Sequence, residues 1–501
     1  HFLRGYAYYH ILMTCGPAIL VGDEIFESNL DGPAYNTYRA TYDETVEYIC
    51  SELETAAAYL PLKASIAQFE RPTKGAAYAL IARLRLHAAS PLFNGTSTAR
   101  LYFGNWKRTY DKAYYINQNY SEEKWALAAA ACKRVIDMNV YELFTVSKDQ
   151  NTPQLPAGVP TENFPNGAGG IDPFKSYSHM FTGDEPFKNN NEVIWGRISE
   201  EVKGYTQQSF PQYMGGYNGM GLTQKMIDAY RMEDGKTIEE AMAVGEYKEG
   251  PNDFTSGPRD FSDYHLNGNI WQMYANREMR FYACVGFNGC YWPATSTTDG
   301  SYRLQTVKYC MDGNAGKYAG TVGSDNYTPT GYVIKKYISS YDAWRGNSSE
   351  RYEKGFPIIR YAEILLSYAE ALNHVNPADE RIIAHIDSVR YRAGIPLLKD
   401  IKPEIKGNQT LQEEAIRKER RIELFAEGQR YFDVRRWMCA DEEGYKQGGP
   451  VHGMNMNADN LEGFMERTPF ETRIFERRMY LYPIPLNEIQ KSSKLVQNPG
   501  W

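Results

Sequence analysis

Residues 411–437, LQEEAIRKERRIELFAEGQRYFDVRRW, constrain this chain more than any other stretch. Leu411, Ala415, Ile422 and Phe425 recur at helical spacings, so an α-helix carries all four on one face. Thr410 and Glu413 have the spacing of a capping box, which predicts the start of the helix. Gly428 suits the left-handed position that ends it. Beyond it, YFDVRRW resumes a helical pattern that buries Tyr431, Val434 and Trp437. The remaining positions are charged: Glu413 and Arg417 stand at i,i+4, and Arg420 is within reach of Glu423. A helix this charged either faces water or has its arginines paired. Glu419, Glu423 and Glu427 are therefore read as scaffold carboxylates, not catalytic ones.

Helical patterns occupy both ends of the chain. Thr41 and Glu44 form a second capping box, followed by Val46, Ile49, Leu53 and Ala57 on one face, with Pro61 ending the helix. Residues 72–90 carry Gly75, Ala76, Ala77 and Ala79 beside Leu80, Ile81 and Leu84, which lets a second helix approach closely. Ser121, Glu122 and Glu123 begin a helix with Trp125, Ala128, Cys132 and Val135 on its core face. Near the other end, Tyr361, Ile364, Leu365, Tyr368 and Leu372 are in helical register. Asn376 is expected to cap the next helix, with Pro377 in its first turn and Gly394 after its end. Residues 140–355 lack long periodic stretches and are too many for an ordinary connection. Their aromatic content predicts a packed, loop-rich unit, with strands at EVIWGRI (192–198), RFYACVGF (280–287) and GYVIKKYI (331–338).

The segments ERRIELFAEGQRYFDVRRW and YPIP…NEI…QNPGW, the latter at the C-terminus, resemble the signatures of the SusD/RagB family of outer-membrane nutrient-binding lipoproteins. FPIIRYAEILLSYAEALN (356–373), IDSVRYRAGIP (386–396), RPTKGAAYALIARLRLHAA (71–89) and MIDAYRMEDGK (226–236) add to the resemblance. It implies a mainly α fold: tetratricopeptide-like helix pairs as scaffold, with a large irregular subdomain containing short strands packed on it. The expected division is 1–139 helical, 140–355 ligand-binding and 356–501 signature region. The resemblance further implies a non-enzymatic glycan binder at the cell surface that acts as the lid of a SusC-like TonB-dependent transporter. RagB-like members implicate peptide as the alternative cargo. HFLRGYAYYHILMTCGPAIL (1–20) resembles a family helix that normally lies inside the chain. A preceding segment with an export signal, a lipid-bearing cysteine and part of the binding arc is expected.

The 501 residues are 23% charged with a net charge of −7, and the signs are interspersed, which gives no reason to expect nucleic acid. No apolar run approaches the ~20 residues of a membrane-spanning helix. The seven cysteines form no CxxC. Cys284, Cys290 and Cys310 alone are close enough in sequence for a local disulfide, and buried thiols are the preferred reading. HExxH and GxSxG are absent, and the eight histidines lack ligand spacing. Asp234-Gly235-Lys236-Thr237 imitates the end of a phosphate loop, but Tyr230 stands where the first glycine belongs. Asp312, Asn314 and Asp325 offer oxygen ligands for calcium without EF-hand spacing, so no cofactor is expected. A glycan hydrolase remains the enzymatic alternative, because the separation of paired carboxylates is not read from sequence.

Forty tyrosines, 8 tryptophans and 21 phenylalanines are the one compositional excess. Aromatic faces stack on the C–H faces of sugars while neighbouring amides and hydroxyls fix orientation. Trp125, Trp195 and Trp437 fall in core patterns. Candidate ligand-binding residues lie where aromatics alternate with Gly, Asn and Gln. Tyr205, Tyr213 and Tyr217 beside Gln207, Gln212 and Asn218 lie in 204–221; Tyr291 and Trp292 lie beside Asn288, and Trp106 lies in GNW (104–106).

Overall fold

The computed structural model describes residues 1–25, 27, 36–318 and 325–501. Long antiparallel helices build one side of it. Phe2–Cys15 packs on Tyr42–Tyr59, which packs on Lys74–Ala89; Glu122–Ile136 lies against both Lys74–Ala89 and Tyr361–Val375. Tyr361–Val375 in turn meets Arg381–Arg392 and Gln409–Glu423. The Thr41–Glu44 capping box forms as expected. The small-residue helix lets its neighbour in closely: a Cβ on Gly75 would lie 2.0 Å from the Tyr141 hydroxyl. Residues from both ends of the chain, including Leu12, Leu53, Leu84, Leu366, Ile386 and Val434, share this single apolar core.

The C-terminal motif closes the helical side onto its first helix. Asn498 donates from Nδ2 to the carbonyls of Cys15 (2.8 Å) and Tyr482 (2.6 Å), and its Oδ1 accepts from Arg39 (2.9 Å). Arg39 also donates to the carbonyls of Cys15, Pro17 and Val496, so its buried guanidinium has only neutral partners. Burial lowers it to about 10.

The second core is aromatic and belongs to the loop-rich unit. Tyr177, Tyr230, Trp271, Tyr274, Phe281 and Trp292 pack with Met and Leu side chains among short two-stranded ribbons. Val193–Ile198 forms the strand its pattern predicts, and it pairs antiparallel with Gly355–Arg360. Residues 280–287 differ: Met279–Cys284 is helical and only Val285–Gly286 is strand, because the run is buried on every side and has no period to read. The strand expected at 331–338 shortens to Val333–Ile334, after which Lys335 and Lys336 turn into the interior.

The signature helix lies between these cores. It runs Gln409–Glu423 with Asn408 as its cap, whose side chain accepts from Leu411 N. The expected Thr410–Glu413 box does not form, because Glu413 is held by Arg417 and His374. Ala426 and Gly428 both adopt positive φ, and Gly428 starts the helix Gln429–Arg436 rather than directly ending the preceding one. Arg420 binds Asp433 (3.1 Å), not Glu423. Asn376 likewise does not cap its helix. It closes a turn on Ala378 N, and the helix begins at Arg381 after Glu380. Among the described residues no helix is long and apolar enough to cross a membrane, and all seven cysteines are free.

Every acidic group of the signature helix that points inward meets a cation. Glu423 accepts from Arg280 (2.8 Å), Arg360 (2.8 Å) and Arg392; Glu419 accepts from Arg280 (2.6 Å). Glu427 binds Arg360 (2.7 Å) and Lys336 (2.6 Å), and Glu192 joins Arg360 to Arg392. These side chains come from both cores and are almost fully buried. Burial pushes Glu423 upward, but Arg392, Arg360 and Arg280 outweigh it and hold the carboxyl well below the usual range.

Candidate functional site

An open groove of about 840 Å³ with polar walls lies in the loop-rich unit. One wall is the segment Gln150–Gln154. The other is a pair of ribbons, Arg259–Phe261 with Tyr264–Leu266 and Cys290–Trp292 with Gln305–Val307. The first ribbon turns through Ser262 and Asp263, which both hold positive φ (47° and 64°), a conformation costly for residues with a Cβ. Tertiary bonds hold it there. Ser262 donates from N to Asn151 O (2.8 Å) and from Oγ to Asp172 (2.6 Å), and Asp263 pairs with Lys175 (2.8 Å). The two walls are therefore tied to each other, and the groove is fixed without a ligand.

Its surface offers amides and hydroxyls from Gln150, Asn151, Thr152, Asn267 and Thr306, with carboxylates at Asp260 and Asp263. The Tyr291 ring forms an aromatic wall, set edge-to-face against His265 at 5.4 Å. Burial raises the Tyr291 hydroxyl above its ordinary value, so it is a neutral donor at physiological pH. This set can hydrogen-bond a polyhydroxylated molecule and stack against one of its faces.

The sequence-derived candidates divide sharply. Tyr291 lines the groove, but its neighbour Trp292 is 1% exposed, packed edge-on against Phe210 at 4.7 Å. Successive strand residues point to opposite faces, so the pair never shared a surface. Trp106 is also interior, with Arg39 over its ring at 5.0 Å and Phe103 stacked at 5.9 Å. Asn218 is fully buried; its Nδ2 donates to Asn326 O. Asn288 accepts from the N–H groups of Tyr309 and Cys310, tying a turn together.

Tyr205 and Tyr217 do face solvent, at 53% and 43% exposure. Tyr205 stands on a helix, Glu200–Ser209, where a loop was expected. Gln207 donates to Gly215 O and accepts, through its backbone carbonyl, from Tyr217 N, which folds the segment after the helix back onto it. Tyr213 is half-buried, and Asn314 connects it to the groove: its Nδ2 donates to Tyr213 Oη (3.1 Å) and Thr306 O (2.8 Å). Asn314 Oδ1 accepts from Lys308 N, so this residue, considered for calcium, braces a turn. Among the described residues no group of three or more His, Cys, Asp or Glu could hold a metal. Lys236 is bound by Asp234 and Glu246, and Thr237 caps a helix, which gives the DGKT segment a structural role.

Sequence reasoning missed Gln150–Gln154 and the Asp260–Asn267 hairpin. Their signal was the crowding of Gln, Asn, Thr and Asp in the two segments.

The chain is thus a mainly helical protein in which a scaffold of packed helices carries a loop-rich unit with a polar groove. The matches with known proteins agree and go further. A family model described as SusD family matches residues 190–501, and one described as "Starch-binding associating with outer membrane" matches residues 1–86. The chain belongs to the SusD family. It is 30% identical over 172 residues to SusD-like protein P2 of Formosa agariphila. That match covers 34% of this chain and 30% of the relative, so the aligned part spans less than a third of the relative's length. The solved structure of BT4246 is similar over 100% of this chain and 83% of its own, with a TM-score of 0.79 at 25% identity. The SusD-like protein BF3747 of Bacteroides fragilis NCTC 9343 gives 0.69 at 24% identity, covering 100% and 79%.

Proposed function

We propose that this protein is a non-catalytic glycan-binding protein of the outer-membrane surface, and that its ligand enters the groove between Gln150–Gln154 and Tyr291. The observation that carries this reading is the groove itself: preformed, about 840 Å³, walled by amides, hydroxyls and two carboxylates around an aromatic face. Its setting, on a chain whose family model is described as starch-binding and outer-membrane associated, supports the same class of ligand. The exposed rings of Tyr205 and Tyr217 offer further stacking surface for a long polymer. By family, the protein passes its glycan to a SusC-like TonB-dependent transporter over which it closes, and a lipid outside residues 1–501 anchors it.

Native affinity electrophoresis against amylopectin, xylan, laminarin, mannan and pectin tests this. Retardation by one polysaccharide, weakened by Tyr291→Ala, is expected. No retardation by any, together with binding of a peptide mixture, would move the protein to the peptide-carrying members. Release of sugars from a retained polysaccharide would make it a hydrolase.

A further inference from the structure

A second cavity, of about 260 Å³, lies beyond the ribbon that bears Tyr291. Its floor is a stack of three aromatic rings. Phe464 lies under Trp271 (5.9 Å, 16°), and Trp271 lies under Phe254 (5.9 Å, 24°). Phe254 is the outermost ring and is 40% exposed, while Trp271 and Phe464 are buried. An exposed phenylalanine in a loop usually pivots; this one is held. Gln272 N donates to Asp253 O (2.8 Å) and Thr255 N to Ile270 O (2.9 Å), so the backbone on both sides of Phe254 is pinned to the chain around Trp271. A ring fixed with one face outward has already given up its rotamer freedom, which lowers the cost of stacking a ligand on it.

Polar groups surround the ring. Asn269, Asn288, Lys308 and Asn460 line the same cavity. Asn288 spends its oxygen on Tyr309 N and Cys310 N, which leaves its amide nitrogen for a ligand. A flat apolar face bordered by amides and an ammonium is the surface that binds a pyranose ring, with C–H groups on the phenylalanine and hydroxyls on the rim. The cavity and the groove share a partition. Gly289 lines the cavity, Tyr291 two residues on lines the groove, and Asn267 on the groove side donates to Gly289 O (3.0 Å). Two residues of extended strand span only about 7 Å.

We infer that the Phe254 cavity is a second sugar-binding subsite, which engages another unit of the same polysaccharide chain held in the Tyr291 groove. This rests on the glycan reading above. Two linked contacts give a polymer an affinity that neither gives alone, and the gain is absent for a ligand too short to reach both.

The test compares wild type, Tyr291→Ala, Phe254→Ala and Phe254→Trp in the full chain. Calorimetric titration uses the polysaccharide that retards wild type and a disaccharide made from it. Phe254→Ala is expected to weaken polysaccharide binding at least tenfold while leaving the disaccharide affinity of the groove unchanged. Phe254→Trp, which enlarges the platform, is expected to match or exceed wild type. Equal polysaccharide affinity for Phe254→Ala and wild type, with Tyr291→Ala impaired, overturns the subsite and leaves the groove standing. No binding by wild type to any of the five polysaccharides overturns both. Melting temperatures of the four proteins separate lost contact from lost fold, and an unfolded Phe254→Ala leaves Phe254→Leu, which removes the flat ring and keeps its bulk, to give the same reading.

Discussion

The seam between the two cores and the floor of the groove are both crowded with polar groups, yet they are built on opposite principles. In the seam each carboxylate meets two or three cations: Glu423 has Arg280, Arg360 and Arg392, and Glu427 has Arg360 and Lys336. Every one of these groups is buried. In the groove Asp260 is exposed beside His265, and the side-chain amide of Gln150 lines solvent-accessible space. Polar groups that have one another are structure; polar groups that await a partner are a site. The signature helix of this chain is therefore charged because it joins the helical scaffold to the loop-rich unit.

The sharpest way to break that distinction is to remove a seam carboxylate. Glu423→Ala leaves three arginines buried without their common partner, and breaking a buried pair costs about 3–5 kcal/mol. Chemical denaturation is expected to show a loss at the top of that range and a single transition that weakens both cores together. The same groups set the acid limit. Glu419, Glu423 and Glu427 all have their folded values lowered from the ordinary 4.5, because the neighbouring cations outweigh burial. Their contribution is fully present above that value and is lost as pH falls below it. Calorimetry from pH 6 to pH 3 should show the melting temperature falling steeply below pH 4.5, with a shallower fall in Glu423→Gln.

Trp292 sharpens the comparison from the other side. Its sequence context suggested a ligand platform, but its indole fills the aromatic core and donates to Cys290 Sγ. Trp292→Ala is expected to cost about 4 kcal/mol by opening a cavity. Any loss of binding should appear only with that loss of stability. A thermal melt run beside the binding assay decides it, and an unchanged melt would return Trp292 to the site. Asn498→Ala comes next. It strips Arg39 of its one side-chain acceptor and removes the donor to the Tyr482 carbonyl, at about 2 kcal/mol. Proteolysis near residues 15–20 and 482–498 should rise together.

How far the sequence reveals this molecule follows the same line. Helices such as Tyr42–Tyr59 and Tyr361–Val375 were legible because half-buried helices must show a period, and the capping box at Thr41 marks its own position. The cap at Asn408 was misplaced by two residues because Glu413, which seemed committed to the box, had stronger partners in Arg417 and His374. Residues 280–284 read as strand in sequence yet fold as helix, because a segment buried on all sides carries no period. In the site, Tyr291 and Trp292 looked alike in sequence and were separated only by strand alternation, whose phase the sequence did not reveal. Gln150–Gln154 and Asp260–Asn267 are 110 residues apart along the chain, from Gln150 to Asp260, and only their hydrogen bonds through Asn151 make them one groove.

The smallest expected effect on stability is the most discriminating for function. Tyr217 is 43% exposed, and its backbone, not its ring, holds the turn to Gln207. Tyr217→Ala should therefore change stability by no more than about 0.5 kcal/mol. If the exposed rings of Tyr205 and Tyr217 extend the groove's hold on a polymer, losing one stacked ring should weaken polysaccharide binding by about threefold to tenfold, the equivalent of about 0.6–1.4 kcal/mol. Binding of a disaccharide should be untouched. Affinity electrophoresis of Tyr217→Ala beside Tyr291→Ala separates the two surfaces. A drop for both means one continuous track across the loop-rich unit. A drop for Tyr291→Ala alone confines the ligand to the groove and makes the exposed tyrosines ordinary surface.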